Sequence, residues 1–140
     1  MKRLLLGIIA LSLFPACGGS NTTANTVTGA SGDAPKFKFA EDAYDFGKIT
    51  TGDKVTHEYK FINDGKAPLI ITDSYATCGC TKPEWPKAPV KPGESGVIKV
   101  TFDSNGKSGL QDKQITVVAN TKPESKTVLH LVGEVLDKKK

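Results

Sequence analysis

Val55, His57, Tyr59 and Phe61 alternate with Thr56, Glu58 and Lys60, and a period of two admits one backbone: a pleated strand with one face on a core and the other in water. The same alternation recurs along the chain. Phe37 and Phe39 alternate with Lys36 and Lys38, giving a short first strand, and Tyr44 to Ile49 gives another, ended by the turn Thr51-Gly52-Asp53. Pro68 to Thr72 reads as a short apolar strand, Val97 to Phe102 as one with Ile98, Val100 and Phe102 on one face, and Gln111 to Ala119 and Thr127 to Leu136 as the last two. Between them stand turn signals: Asn63-Asp64-Gly65-Lys66, of hairpin type, then Pro92-Gly93 and Ser104-Asn105-Gly106-Lys107; glycine accepts the positive φ that tight turns need. Lys82 to Gly93 is proline-rich and cannot be a central strand. No long stretch shows a capped apolar period of 3.6. About seven strands at intervals of about 8–12 residues predict an all-β sandwich. It is expected to be antiparallel, because the connections are too short for crossover helices.

The N-terminus is expected to lie outside that domain. Lys2 and Arg3 precede an apolar run from Leu4 to Phe14. This run is shorter than the roughly 20 residues that span a bilayer as a helix, and has the length of a signal-peptide core. Leu13-Phe14-Pro15-Ala16-Cys17 resembles the lipobox cut by the lipoprotein signal peptidase. On that reading residues 1–16 are a lipoprotein signal peptide and Cys17 becomes the acylated first residue, carrying palmitate-type chains. Phe14 and Pro15 depart from the commonest lipobox residues, and the alternative is an ordinary secretory signal that leaves Cys17 as a free thiol. Each buried methylene contributes about 0.8 kcal/mol, so two or three chains anchor permanently. Residues 17–35 are dominated by Gly, Ser, Thr, Ala and Asn and read as a flexible linker. No acidic residue directly follows Cys17. By resemblance to known sorting rules, the expected location is the periplasmic face of the outer membrane of a diderm bacterium. The sandwich is then expected over residues 36–137, with a solvated basic tail at Lys138, Lys139 and Lys140.

The formal charge of +4 falls to +2 when Lys2 and Arg3 leave with the signal. No basic stripe interleaved with aromatics is present, which argues against nucleic acid as a partner.

Five motifs then occur in order. They are Tyr44-Asp45-Phe46-Gly47-Lys48-Ile49; Tyr59 to Ile71, with Asn63-Asp64-Gly65-Lys66-Ala67-Pro68 at its centre; Cys78-Gly79-Cys80-Thr81; Lys91-Pro92-Gly93-Glu94-Ser95-Gly96; and Val100-Thr101-Phe102-Asp103. Together, across roughly Lys36 to Asp137, they resemble the family called domain of unknown function 1573, which is similar to the Ig-like modules of the ASPM, SPD-2 and Hydin group. The resemblance implies an Ig-like fold and a bacterial envelope location, and no established chemistry.

Among residues that can carry chemistry, Cys78 and Cys80 stand out. With Cys17 acylated they form an even pair in an oxidising compartment. Three readings stay open. In a regular strand, residues i and i+2 are about 6.6 Å apart, whereas a disulfide needs Cβ atoms roughly 3.8 Å apart. A bridge therefore requires a kink, which Gly79 suits, and so tight a ring would be easily reduced. Alternatively, two thiolates could clamp copper(I), or the pair could be small thiols packed at a sandwich edge.

His57 reads as a half-buried strand residue and His130 as an exposed one; nothing in the spacing sets either beside the cysteines. Trp85 reads as a cover over one end of the core. No G-x-S-x-G, P-loop, H-E-x-x-H or dinucleotide turn is present. The expectation is a non-enzymatic module that needs no cofactor, held to the membrane by Cys17 and partnered by another envelope protein. The alternative is a thiol-redox or copper(I)-handling protein using Cys78 and Cys80.

Overall fold

The computed structural model describes residues 33–138. The signal peptide, Cys17, most of the linker, Lys139 and Lys140 lie outside the described residues.

Eight strands form two four-stranded sheets: β1 (Phe37–Phe39), β2 (Ala43–Thr50), β3 (Lys54–Asn63), β4 (Ile71–Ala76), β5 (Thr81–Glu84), β6 (Ser95–Asp103), β7 (Gly109–Ala119) and β8 (Lys126–Leu136). One sheet has the order β1-β3-β6-β5 and the other β2-β8-β7-β4. The chain changes sheet at each of the first four connections, so only β5–β6 and β7–β8 are consecutive paired strands.

The core is made by the inward parity of both sheets. Tyr59, Phe61, Ile98, Val100 and Phe102 face Ile115, Val117, Leu129, Leu131 and Val135, each at most 1% exposed. Full burial of one such aliphatic or Phe side chain contributes about 1.5–3 kcal/mol, so the alternation seen in the sequence is also the main source of stability. Two glycines let aromatic rings cross the sheets closely. Phe61 covers its register partner Gly96, and Phe46 covers Gly133.

Four sequence expectations change in detail. The sandwich has eight strands, and β2 pairs with β8 in parallel, with a register shift between Asp45 and Lys48. The rule against parallel pairs fails here because almost the whole domain separates β2 from β8, so no short crossover is required. Asn63 to Lys66 is not a hairpin turn; it carries the chain from one sheet to the other. Asn63 is fully buried there, and its Nδ2 donates to the carbonyls of Ala67 and Val90 at 2.8 and 2.9 Å. The strand expected at Pro68 to Thr72 starts later, at Ile71, and runs to Ala76. Before it, Leu69 forms only a bridge to Val90, and the Ile70 N–H bonds to the Asn120 side chain. The proline-rich block behaves as expected: its one strand, β5, with Pro83 in it, lies at a sheet edge.

Ser104, also fully buried, ties the β2–β3 turn to the end of β6. Its hydroxyl donates to the Asp53 carbonyl at 2.7 Å and accepts from the Gly52 N–H at 3.0 Å. Gly52 has a φ of 97°, a conformation other residues rarely adopt.

Candidate functional site

The cysteine pair lies where the chain passes from β4, an edge of one sheet, to β5, an edge of the other. Cys78 to Thr81 form a tight turn, with the Thr81 N–H donating to the Cys78 carbonyl at 3.2 Å. The turn draws the two Cα atoms to 5.2 Å, and Cys78 and Cys80 are joined as a disulfide. The bridge therefore needs no distorted strand, because the cysteines occupy a turn. It also ties together little that is not already tied, since β4 is held by β7 and β5 by β6. Closing so short a ring adds roughly half of what a fifteen-residue loop would gain in the chain-entropy model.

Both cysteines are half-buried, and Cys80 packs on the core. Thr81 is only 4% exposed, and its Oγ1 lies 3.7 Å from Cys78 Sγ and 3.8 Å from Cys80 Sγ. A groove of about 370 Å³ runs along the Cys80 side, walled by Lys54, Lys82, Thr101, Asp103 and Asn105. A wider one of about 570 Å³ runs along the Cys78 side, past Tyr75, Pro83 and Glu84. In the first groove the Asn105 backbone N–H donates to Asp103 Oδ1 at 3.0 Å, and Lys54 Nζ stands 3.5 Å from Oδ2. That backbone N–H first, then the lysine charges, hold the Asp103 carboxyl below its ordinary range.

The histidines are elsewhere. His57 stacks on Tyr44, with ring centroids 3.7 Å apart, and meets Tyr59 edge-on. Glu41 Oε1 comes within 2.9 Å of His57 Nε2, yet that buried nitrogen makes no hydrogen bond. His130 Nδ1 pairs with Asp112 at 3.0 Å. Trp85 packs against the core with Lys87 Nζ 3.2 Å above its ring. Among the described residues, no group of three or more His, Cys, Asp or Glu is arranged to hold a metal ion. Copper(I) binding would need the cysteine pair reduced, because a disulfide offers no thiolate.

A second feature is a sheet edge left open among the described residues. β1 pairs only with Phe61, Ile62 and Asn63 of β3, and the Ala40 N–H bonds the Lys60 carbonyl beyond it. By the two-residue alternation, the main-chain groups of Lys54, Thr56 and Glu58 point the same way and meet no strand among the described residues. Where β1 ends, a largely apolar groove of about 300 Å³ opens beside Phe39, Ala40, Phe61 and Ile62, flanked by Lys38 and Lys60. Strand spacing could have flagged the short β1, since Phe37 to Phe39 is too brief to cover a ten-residue partner.

Similar folds occur in other proteins. A protein of unknown function from Porphyromonas gingivalis W83 aligns with a TM-score of 0.66 at 15% identity, over 79% of this chain and 51% of its own. The ASH / PapD-like domain 7 of human CEP192 aligns at 0.55 and 11% identity, over 89% of this chain and all of its own. The YadV chaperone aligns at 0.53 and 14%, over 71% of this chain and 51% of its own. At these identities the likeness is one of fold, an Ig-like or PapD-like sandwich. The chain spans about half the length of the Porphyromonas gingivalis protein. No curated protein matches it. The family model described as protein of unknown function (DUF1573) matches residues 37–135, from the start of β1 to within one residue of the end of β8, and the chain belongs to that family.

Proposed function

We propose that the chain is a non-enzymatic envelope lipoprotein: an Ig-like interaction module, held by acyl chains on Cys17 at the periplasmic face of the outer membrane, that binds an extended segment of another envelope protein. The observation that carries this reading is the free edge of β3. Among the described residues, Lys54, Thr56 and Glu58 offer unpaired N–H and C=O groups in a row, and such a row is a template for an added strand. The groove beside Phe39 and Phe61 would take an apolar side chain of the incoming segment, and Lys38 and Lys60 would favour acidic neighbours. The likeness to PapD-like modules and to a chaperone supports an interaction role by fold analogy. The lipobox-like run ending at Cys17 supports the anchor.

The test is site-specific photo-crosslinking in intact cells. A photoreactive residue at Thr56 is expected to capture a discrete envelope protein, whereas one at Thr72, on the strand at the far edge of the other sheet, is not. Equal capture at both positions, or none at Thr56, would refute edge binding. Mass spectrometry of the native protein should show acylated Cys17 as the first residue; an unmodified, water-soluble product would refute the anchor.

A further inference from the structure

We infer that the Cys78–Cys80 bridge is a thiol–disulfide exchange site that accepts two electrons from a dithiol, with Thr81 as the hydrogen-bond donor to the sulfur that leaves. Three observations carry this. The bridge spans a single tight turn between strands already paired elsewhere, so opening it leaves both sheets intact. It is reachable, with a groove along each side. The buried Thr81 hydroxyl stands nearly equidistant from the two sulfurs, at 3.7 and 3.8 Å.

Exchange begins when a thiolate attacks one sulfur in line with the bond and expels the other as a thiolate. The groove on the Cys80 side is lined by Lys54 and Lys82, whose positive charges favour an approaching thiolate. Asp103 also faces that groove, but its carboxylate is engaged by Lys54 and the Asn105 N–H. The first thiolate of the dithiol bonds to Cys80 Sγ, the Sγ–Sγ bond breaks, and its electron pair leaves on Cys78 Sγ. There Thr81 Oγ1–H can turn to donate. The second thiol of the donor, as its thiolate, then attacks its own sulfur in the mixed disulfide. Cys80 Sγ leaves as a thiolate, within reach of the same hydroxyl. The donor becomes a disulfide, losing two electrons and two protons; Cys78 and Cys80 become thiols by taking up both. Thr81 thereby serves each departing sulfur in turn, and a hydrogen bond to a charged sulfur lowers its pKa and improves it as a leaving group.

The experiment uses the protein as isolated from cells in mild detergent and never reduced, with dithiothreitol as the dithiol. Thiol alkylation over time gives the rate of bridge opening at fixed pH, while circular dichroism follows the fold. The wild-type bridge is expected to open with the sandwich still folded. Thr81→Val should slow opening by about tenfold, the loss of one hydrogen bond to an ionised group, and Thr81→Ser should restore it. Thiolate absorbance of the reduced protein should show a higher thiol pKa in Thr81→Val than in Thr81→Ser, a change that a merely structural role would not produce. Free thiols at Cys78 and Cys80 in the native protein would overturn the proposal. So would a wild-type bridge that opens only on unfolding, or a folded Thr81→Val that opens as fast as wild type.

Discussion

The ring of Phe61 lies against Gly96, its register partner across the β3–β6 pair, so closely that a Cβ at position 96 would clash with the ring's Cζ and Cε1 atoms. Phe61 also meets Phe37 edge-on and Phe39 at a tilt, with centroids 5.0 and 5.7 Å away. The glycine thus sets how deeply the aromatic cluster under β1 can seat. Adding a methyl group at Gly96 should destabilise the domain by about 1–3 kcal/mol through overpacking, and Phe61→Ala by about 3–5 kcal/mol through the cavity it leaves. Because the methyl would occupy space the ring vacates, the double variant should cost clearly less than the two single changes combined. Urea denaturation of the four proteins measures this, and additive costs would refute the contact.

Asn63 holds the passage between sheets. Its Nδ2 serves two carbonyls, and its Oδ1 accepts from the N–H groups of Gly65 and Lys36 at 3.0 and 3.3 Å. Asn63→Ala leaves the Ala67 and Val90 carbonyls without this partner, and a loss of about 3 kcal/mol is expected. Thermal unfolding should show a large drop in midpoint; a shift no greater than that of an exposed Asn105→Ala control would contradict the role.

Tyr59 gives the domain a limit at high pH. Its hydroxyl donates to the His130 carbonyl at 2.7 Å, and burial first, then the Glu41 charge, push the phenol well above its ordinary value. The unfolded chain ionises this group near its ordinary value while the folded chain does not. Its contribution is therefore complete below about pH 10 and is lost as pH rises toward the folded value, at up to about 1.4 kcal/mol per pH unit. Tyr59→Phe should be less stable at neutral pH by about 1 kcal/mol and should lose part of this alkaline slope. An unchanged slope would assign the pH dependence to other groups.

The free edge of β3 should tolerate proline where β6 does not. The Glu58 N–H points away from β6, whereas Thr101 lies within a strand paired on both sides. Glu58→Pro is expected to fold with little loss of stability and to lose crosslinking at Thr56, while Thr101→Pro should cost about 3 kcal/mol or more. Circular dichroism and thermal unfolding separate the two; equal destabilisation would mean that the β3 edge is already engaged within the domain.

Much of the site was visible before the fold. Cys78-Gly79-Cys80 stands out in the sequence by its spacing, and Thr81 lies beside it in the same motif, but its hydroxyl reaches both sulfurs only because the turn folds back on itself. Asn63 read as part of an ordinary turn, since nothing in Asn63-Asp64-Gly65-Lys66 announces that the side chain will be buried. The apparent strand at Pro68 to Thr72 misled because apolar residues there meet a loop, at Val90, before they meet a sheet.

The sequence by itself determined which residues face inward along β3, β6, β7 and β8, because side-chain parity follows from the pleat and needs no distant partner. Only the tertiary structure decided which sheet each strand joins, that β2 runs parallel to β8, and that β1 stops short of covering β3. Those outcomes depend on which distant segments bury their faces together, and the free energy of that choice belongs to the assembled pair of sheets rather than to any one stretch of chain.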